Sequence, residues 1–272
     1  MTPLCNLHTH SIFCDGANTP EENVLAAIEL GFSTIGFSSH SPTSVKGDEG
    51  CMTLDTTKAY KSEILRLKEK YSDKIEITLG IEQDSFTTEK NDGYEYIIGS
   101  VHHICVGGEF LAVDWSYERL CDGADRIFGG DFMKLTEAYY SELSTVVKKT
   151  NCDIIGHFDV VTKYNDEFRY IDESSYEYQK MTLLAVDELL KTDAVFEVNT
   201  GGMARGRKTI PYLPPVVVKR IAEKGGRFIL GSDAHRVEHL GFGFFDACEY
   251  LNSLGAHELC IWQNGGFKSV KI

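Results

Sequence analysis

Two short motifs near opposite ends of the chain carry metal-binding side chains two residues apart, His8-Thr9-His10 and Asp233-Ala234-His235. Alternate side chains of a β-strand point to the same face, so each pair can chelate one cation. Between them, His40, Glu82, His102 and His157 fall at the ends of apolar runs. Imidazoles suit zinc, iron and manganese, and the two oxygens of Glu82 could bridge a pair of ions. Asp15, in Cys14-Asp15-Gly16, offers a further ligand, although the same tripeptide reads equally well as a turn. An isolated histidine on a strand is ordinarily a packed or capping residue. Ligand types closing six of seven candidate strands point instead to one shared centre.

Those side chains need a scaffold that gathers strand ends. Candidate strands lie at 4–9, 33–39, 75–82, 95–104, 153–161, 194–199 and 227–233, alternating with helical patterns. The first helix is well marked by Thr19-Pro20-Glu21-Glu22: an N-cap, proline at the first helical position and a capping-box glutamate. Further helical stretches are 55–72, 131–150, 173–191, 214–224 and 245–254, whereas 41–54 and 105–130 look like loop insertions. Parallel strands need crossover connections, so repeated β-then-α units predict an α/β fold with helices covering a parallel sheet. Seven units without a composition break predict one domain over residues 1–272, closed or nearly closed into a barrel. The carboxyl ends of barrel strands converge on one face, where active sites form.

A second constellation follows the sixth strand: Asn199-Thr200-Gly201-Gly202-Met203-Ala204-Arg205-Gly206-Arg207-Lys208-Thr209. Glycines let backbone approach a ligand, and the guanidinium fork matches phosphate oxygens. A solvated loop is the plainer alternative. Exit from the ligand-bearing face favours phosphate binding by Arg205 and Arg207.

Composition narrows the partners. The 272 residues are 42% hydrophobic and carry a formal net charge of −14. Such a balance opposes a nucleic-acid-binding surface, whose affinity is largely electrostatic, but permits a pocket for a small phosphorylated substrate. No apolar run approaches a membrane span, and the first residues lack the basic and apolar regions of a signal peptide. Eight scattered cysteines without CxxC spacing read as reduced thiols, consistent with the cytoplasm. Nothing in the pattern reports oligomeric state.

Taken in order, HTH (8–10), Asp15, SSH (38–40), GIE (80–82), GSVHH (99–103), GHFD (156–159) and GSDAH (231–235) resemble the polymerase-and-histidinol-phosphatase (PHP) family across essentially the whole chain. The resemblance implies a distorted seven-stranded β/α (TIM-like) barrel with up to three divalent metal ions, Zn, Fe or Mn. Carried over, His8, His10, Glu82 and Asp233 would hold the first ion, and Glu82, His102 and His157 the second. Asp15, His40 and His235 would hold the third; many relatives have His at the position of Asp15. Of the adjacent pair, the family pattern favours His102, leaving His103 for the opposite face. His239 is a rim candidate and His257 a structural residue.

Ser41-Pro42 and Val113-Asp114-Trp115 look like the histidinol-phosphate phosphatase branch, which adds Arg169 and Ser41 as phosphate contacts. Asp114 would belong to an acidic rim for a cationic substrate. The resemblance thus implies hydrolysis of L-histidinol phosphate to L-histidinol and phosphate in histidine biosynthesis. Attack would come from a hydroxide bridging two ions, with Glu82 and Asp233 as catalytic groups. Alternatives are a PHP phosphoesterase acting on a nucleotide, phosphoprotein or oligonucleotide end, an amidohydrolase-type hydrolase, or a non-catalytic metal-binding module.

Overall fold

The computed structural model describes residues 4–272. Eleven strands form: β1 (Cys5–Asn6), β2 (Thr34–Phe37), β3 (Glu76–Asp84), β4 (Tyr96–Ser100), β5 (His103–Val106), β6 (Glu109–Ala112), β7 (Ile154–Ile155), β8 (Val195–Asn199), β9 (Phe228–Gly231), β10 (Glu258–Trp262) and β11 (Phe267–Lys271). Nine make one sheet in the order β1-β2-β3-β4-β7-β8-β9-β10-β11. Every pairing in it is parallel except that of β10 with β11. Each of the seven candidate strands is present. The expected count of seven is nevertheless too low for this sheet, because β10 and β11 extend it.

Those two additions form a hairpin across Asn264-Gly265, both residues at positive φ. Asn-Gly is the strongest short-range hairpin signal, since both residues accept the left-handed conformation that a tight hairpin turn demands. Region 105–130 is likewise no plain insertion: β5 and β6 pair antiparallel, and a helix runs over Tyr117–Phe128. Ser116 caps its start, and Gly129 ends it at φ 65°. Gly123 in this helix leaves room for Leu111 of β6; a Cβ there would lie 2.0 Å from Leu111 Cδ1.

The major helices follow the patterns that marked them. Thr19 and Glu22 make a reciprocal capping box at the start of Pro20–Glu29. Helices Leu54–Lys70, Tyr176–Leu189, Pro215–Glu223 and Phe244–Ser253 bury Ile64, Leu67, Val186, Leu189, Val217, Ile221, Ala247 and Leu251 against the sheet. The long helical stretch from 131 breaks at Ser144-Thr145 into Phe132–Leu143 and Val146–Thr150.

On its other face the sheet curls around a second cluster: Cys5, Leu7, Tyr96, Ile98, Ile154, Val195, Ile229, Cys260 and Trp262. Tyr96 of β4 reaches across this interior, its hydroxyl donating to the carbonyls of Leu7 at 2.5 Å and Phe37 at 3.0 Å. Gly36 and Gly80 make room for that ring, since a Cβ at Gly80 would lie 2.2 Å from Tyr96 Cζ. Where β1 ends, Thr9 forms a parallel bridge to Ala234, beyond β9. His10 N donates to Ala234 O at 2.9 Å, and Ala234 N to His8 O at 3.2 Å. At the opposite end of the strands β10 approaches β1 and β2, with Trp262 N on Cys5 Sγ and Thr34 Oγ1 on Trp262 O.

Candidate active site

The bridge that joins β1 to the chain after β9 also aligns the two chelating motifs. His8 Nε2 lies 3.6 Å from Asp233 Oδ1, and His10 Nε2 lies 3.2 Å from the same oxygen. Asp233 adopts φ 48°, a left-handed conformation uncommon outside glycine, which turns its side chain into the cluster. Glu82, on β3 and wholly buried, stands at the centre. Its two oxygens face different partners. Oε2 lies 3.2, 3.4 and 3.0 Å from His8 Nε2, His10 Nε2 and His40 Nδ1. Oε1 lies 2.9 and 3.3 Å from His157 Nε2 and His102 Nε2, and accepts from Ser100 Oγ at 2.6 Å.

A third group gathers on Asp15, whose Oδ2 lies 3.1 Å from His235 Nε2 and whose Oδ1 lies 3.6 Å from both His40 Nε2 and His10 Nδ1. All nine candidate ligands therefore meet in one place, from the ends of β1, β2, β3, β4, β7 and β9. The donor set fits divalent cations. His8 Nε2, His10 Nε2 and Glu82 Oε2 are buried without a hydrogen-bond partner, although the two imidazole nitrogens lie 3.2 and 3.4 Å from that oxygen. Three overlapping sets satisfy the spacing of a chelate: His8, His10 and Asp233; His40, Glu82 and His102; and His10, Asp15, His40 and His235. Buried polar atoms left unpaired are costly, and a cation would satisfy these together.

Charges in the cluster are strongly interdependent. Burial works against ionisation of Glu82, yet His8, His40 and His102 hold its carboxyl well below the usual range. Burial also opposes the ionised form of Asp233, which Arg205 and His8 keep well below its ordinary value. His8 and His40 are raised despite burial, His8 by Glu197, Glu82 and Asp233 and His40 by Glu82 and Asp15. Burial would lower His102 as well, but Glu82 and Asp84 lift it to about 10. His10 goes the other way, down to about 3, because burial and the neighbouring His235 and His40 disfavour its cation.

The basic loop is sorted by the structure. Arg205 borders the cluster beside Asp233, His235 and Lys163 in a cavity of about 240 Å³. Its Nη2 donates to Asp233 Oδ2 at 2.9 Å, while Nε is buried without a partner. Arg207 points elsewhere, paired with Glu167 at 3.2 Å on the exposed side. Lys208 turns inward to Asp166 at 2.8 Å and Glu173 at 3.4 Å, pinning the loop. Arg169 is exposed at φ 50° at the end of a short turn of helix, and lines neither this cavity nor its neighbour. Ser41 is also not a cavity residue: it is buried, with its hydroxyl 2.8 Å from Thr87 Oγ1, tying the segment after β2 to that after β3. The structure thus leaves Arg205 as the loop's one arginine at the site.

Adjoining the cluster is a larger cavity of about 410 Å³, lined by Asp15, His40 and His102 on one side and Asp48, Glu49, Asp114 and Trp115 on another. Asp114 lies here as expected; burial opposes its ionisation, and Lys163 and His102 favour it. His103 is not on an opposite face. It opens β5 and lines this cavity, with Nδ1 3.9 Å from both Asp48 Oδ2 and Asp84 Oδ2. His239 is half-buried and outside both cavities, and exposed His257 bonds Asn252.

Sequence reasoning passed over four residues. Lys163 lines both cavities and donates to Asp114 O at 2.6 Å. Asp48 borders the larger one, and Asp84 accepts from His102 N at 2.8 Å. Glu197 is buried on β8 against His8. A glutamate among the apolar residues of Phe196-Glu197-Val198 was the available signal for the last; Asp84, two residues beyond Glu82 on one strand face, was another.

Comparison with known proteins supplies the family. The PHP domain family matches residues 6–201. A Deinococcus radiodurans protein named "Probable histidinol-phosphatase" is 31% identical, the alignment covering 94% of this chain and 95% of that one. The histidinol-phosphatase of Lactococcus lactis is 26% identical over 93% and 91%. A solved structure of histidinol phosphate phosphatase from Lactococcus lactis, complexed with Zn, L-histidinol and phosphate, has a TM-score of 0.70 at 21% identity, covering 98% of this chain and 99% of that one. With most of its length matched by the family and aligned end to end with these relatives, the chain belongs to the PHP family.

Proposed function

We propose that the protein is a metal-dependent histidinol-phosphatase, releasing L-histidinol and phosphate from L-histidinol phosphate. The observation that carries this reading is the split of Glu82: one carboxylate oxygen faces His8, His10 and His40 and the other faces His102 and His157, beside a cavity bordered by Arg205 and Lys163. In this reading the sheet forms a closed, distorted β/α barrel, and residues 1–272 are one domain.

His8, His10, Glu82 and Asp233 would hold a first divalent ion, Glu82, His102 and His157 a second, and Asp15, His40 and His235 a third; zinc, iron and manganese all suit this donor set. Such ions supply Lewis-acid neutralisation of phosphoryl oxygens and activation of water near neutral pH. The remaining tasks fall to the chain. Arg205 and Lys163 place two cations against the phosphoryl group, where charge-assisted bonds both bind and orient it. Arg205 also fixes Asp233 by its Oδ2, leaving Oδ1 directed at His8 and His10 and free to orient the attacking water. Asp114, Asp48 and Glu49 give the larger cavity an acidic lining suited to the amine and imidazole of the substrate. No helix among the described residues is long and apolar enough to cross a membrane.

Steady-state kinetics after metal loading test the reading. L-Histidinol phosphate should exceed p-nitrophenyl phosphate in kcat/KM by on the order of a hundredfold, as expected where polar groups must match the leaving group. Equal values would point to a phosphoesterase for another substrate.

A further inference from the structure

Glu197 is not among the nine clustered ligands, yet it touches two of them. It sits on β8 and is 1% exposed. Its Oε1 lies 2.6 Å from His8 Nδ1. Its Oε2 accepts from the backbone N–H of His157 at 2.7 Å and from Asn199 Nδ2 at 2.9 Å. We infer that Glu197 is a positioning residue for the metal centre, fixing His8 with its proton on Nδ1 and holding the His157 backbone on the same carboxylate. The inference rests on the metal-centre reading given above.

The argument is one of proton inventory. A neutral imidazole carries one N–H, and which nitrogen bears it is set by the partner of the other. A carboxylate at Nδ1 accepts, so the proton stays there and the Nε2 lone pair is presented inward. Inward is where Glu82 Oε2 and Asp233 Oδ1 lie, at 3.2 and 3.6 Å. None of the other candidate histidines has a buried carboxylate outside the cluster this close; His235 Nδ1 meets the Asp233 carbonyl oxygen instead, at 2.9 Å. His10 Nδ1 meets only the Cys14 thiol at 3.4 Å and Asp15 at 3.6 Å, His157 Nδ1 has no partner, and His102 Nδ1 is 3.5 Å from Asp84. His8 alone is held by a short contact to a fully buried carboxylate outside the cluster.

The surroundings are shaped for that carboxylate. A Cβ at Gly231, on the neighbouring β9, would lie 1.9 Å from Glu197 Oε1. Gly231 has no need of left-handed backbone; what it supplies is space. Asn199, two residues along on the same strand face, spends its amide on Oε2 and its carbonyl oxygen on Gly201 N, linking the carboxylate to the start of the Arg205 loop.

Glu197→Gln is the informative change, because the amide keeps the shape but has one acceptor for the three donors around it. Zinc affinity of the full-length protein is measured by competition with a chelator, and the His8 tautomer by nitrogen-15 NMR of the imidazoles in the zinc-loaded protein. Wild type should hold the proton on Nδ1. Glu197→Gln should lose that preference and weaken one zinc by about 10- to 100-fold while the others are retained, the usual cost of removing an outer-shell partner. Glu197→Asp should recover part of the affinity. Gly231→Ala changes neither a ligand nor Glu197 in the sequence, and should reproduce the loss by displacing the carboxylate. Unchanged zinc affinity and an unchanged His8 tautomer in Glu197→Gln would overturn the proposal. So would loss of all ions in step with loss of folding in Glu197→Gln and Gly231→Ala, which would make Glu197 a purely structural residue. Should wild type take up no divalent cation, the metal reading fails instead, and the His8 Nδ1 proton resonance still reports on the Glu197 contact by itself.

Discussion

Arg205 holds Asp233 twice, by its carboxylate oxygen Oδ2 at 2.9 Å and by its main-chain carbonyl at 3.2 Å. The loop after β8 thereby braces a residue whose backbone sits at φ 48°. Gly201, at the head of that loop, leaves the space, since a Cβ there would fall 2.8 Å from Arg205 Nη2 and 2.9 Å from Asp233 Oδ2. In the proposed function, phosphate binding and metal binding are coupled through this one guanidinium.

Replacing Arg205 with Ala should lower kcat/KM and weaken inhibition by inorganic phosphate. A bond to a charged group is worth about 1.5–3 kcal/mol, or roughly ten- to a hundredfold. Because Asp233 is released at the same time, affinity for one ion should fall as well, which metal analysis at limiting zinc would show. Arg205→Lys should restore only part, since an ammonium lacks the fork that reaches two oxygens. Arg207→Ala removes an exposed ion pair to Glu167 and should change stability by less than about 1 kcal/mol.

Glu82→Gln should disturb two sites at once. Both of its oxygens face imidazoles, so an amide places an N–H against one set. Elemental analysis should show more than one ion lost per chain, with activity falling in parallel. Retention of every ion would remove Glu82 from the bridging position.

The metal-free protein should lose stability as pH rises from about 6.5 to about 10. His102 has an ordinary value of 6.5 and is lifted to about 10, by Glu82 and Asp84 acting against burial. A pKa raised on folding contributes stability fully below the unfolded value, and that contribution is lost as pH climbs through the folded one. Thermal melts of chelated protein across this range give the measurement. Zinc should flatten the trend, because a cation takes the place of the protons and expels them on binding.

Gly80→Ala should destabilise the fold without touching a ligand. The added methyl would meet the Tyr96 ring at 2.2 Å in the closely packed interior of the curled sheet. Overpacking of this kind costs about 1–3 kcal/mol, readable as a lowered Tm.

Local chemistry made much of this protein legible in its sequence. The capping box at Thr19 and Glu22, the alternation of apolar runs with amphipathic helices, and ligand types at strand ends all act over a few residues, where spacing alone carries the information. Asn264-Gly265 and the Ser116 and Gly129 caps are equally local: the first sets a hairpin outside the seven expected strands, the others a helix within the expected insertion 105–130. Other features have no local signature. Arg205, Arg207 and Arg169 look alike as sequence, and only the fold turns Arg205 to Asp233, Arg207 to Glu167 and Arg169 to solvent. Ser41 was drawn away by Thr87, His103 was brought into the larger cavity by the β5–β6 hairpin, and Glu197 met His8 across 189 residues. Spacing along a strand decides which side chains share a face, whereas the partner waiting on that face is supplied by strands far away in sequence, and only their packing in three dimensions can name it.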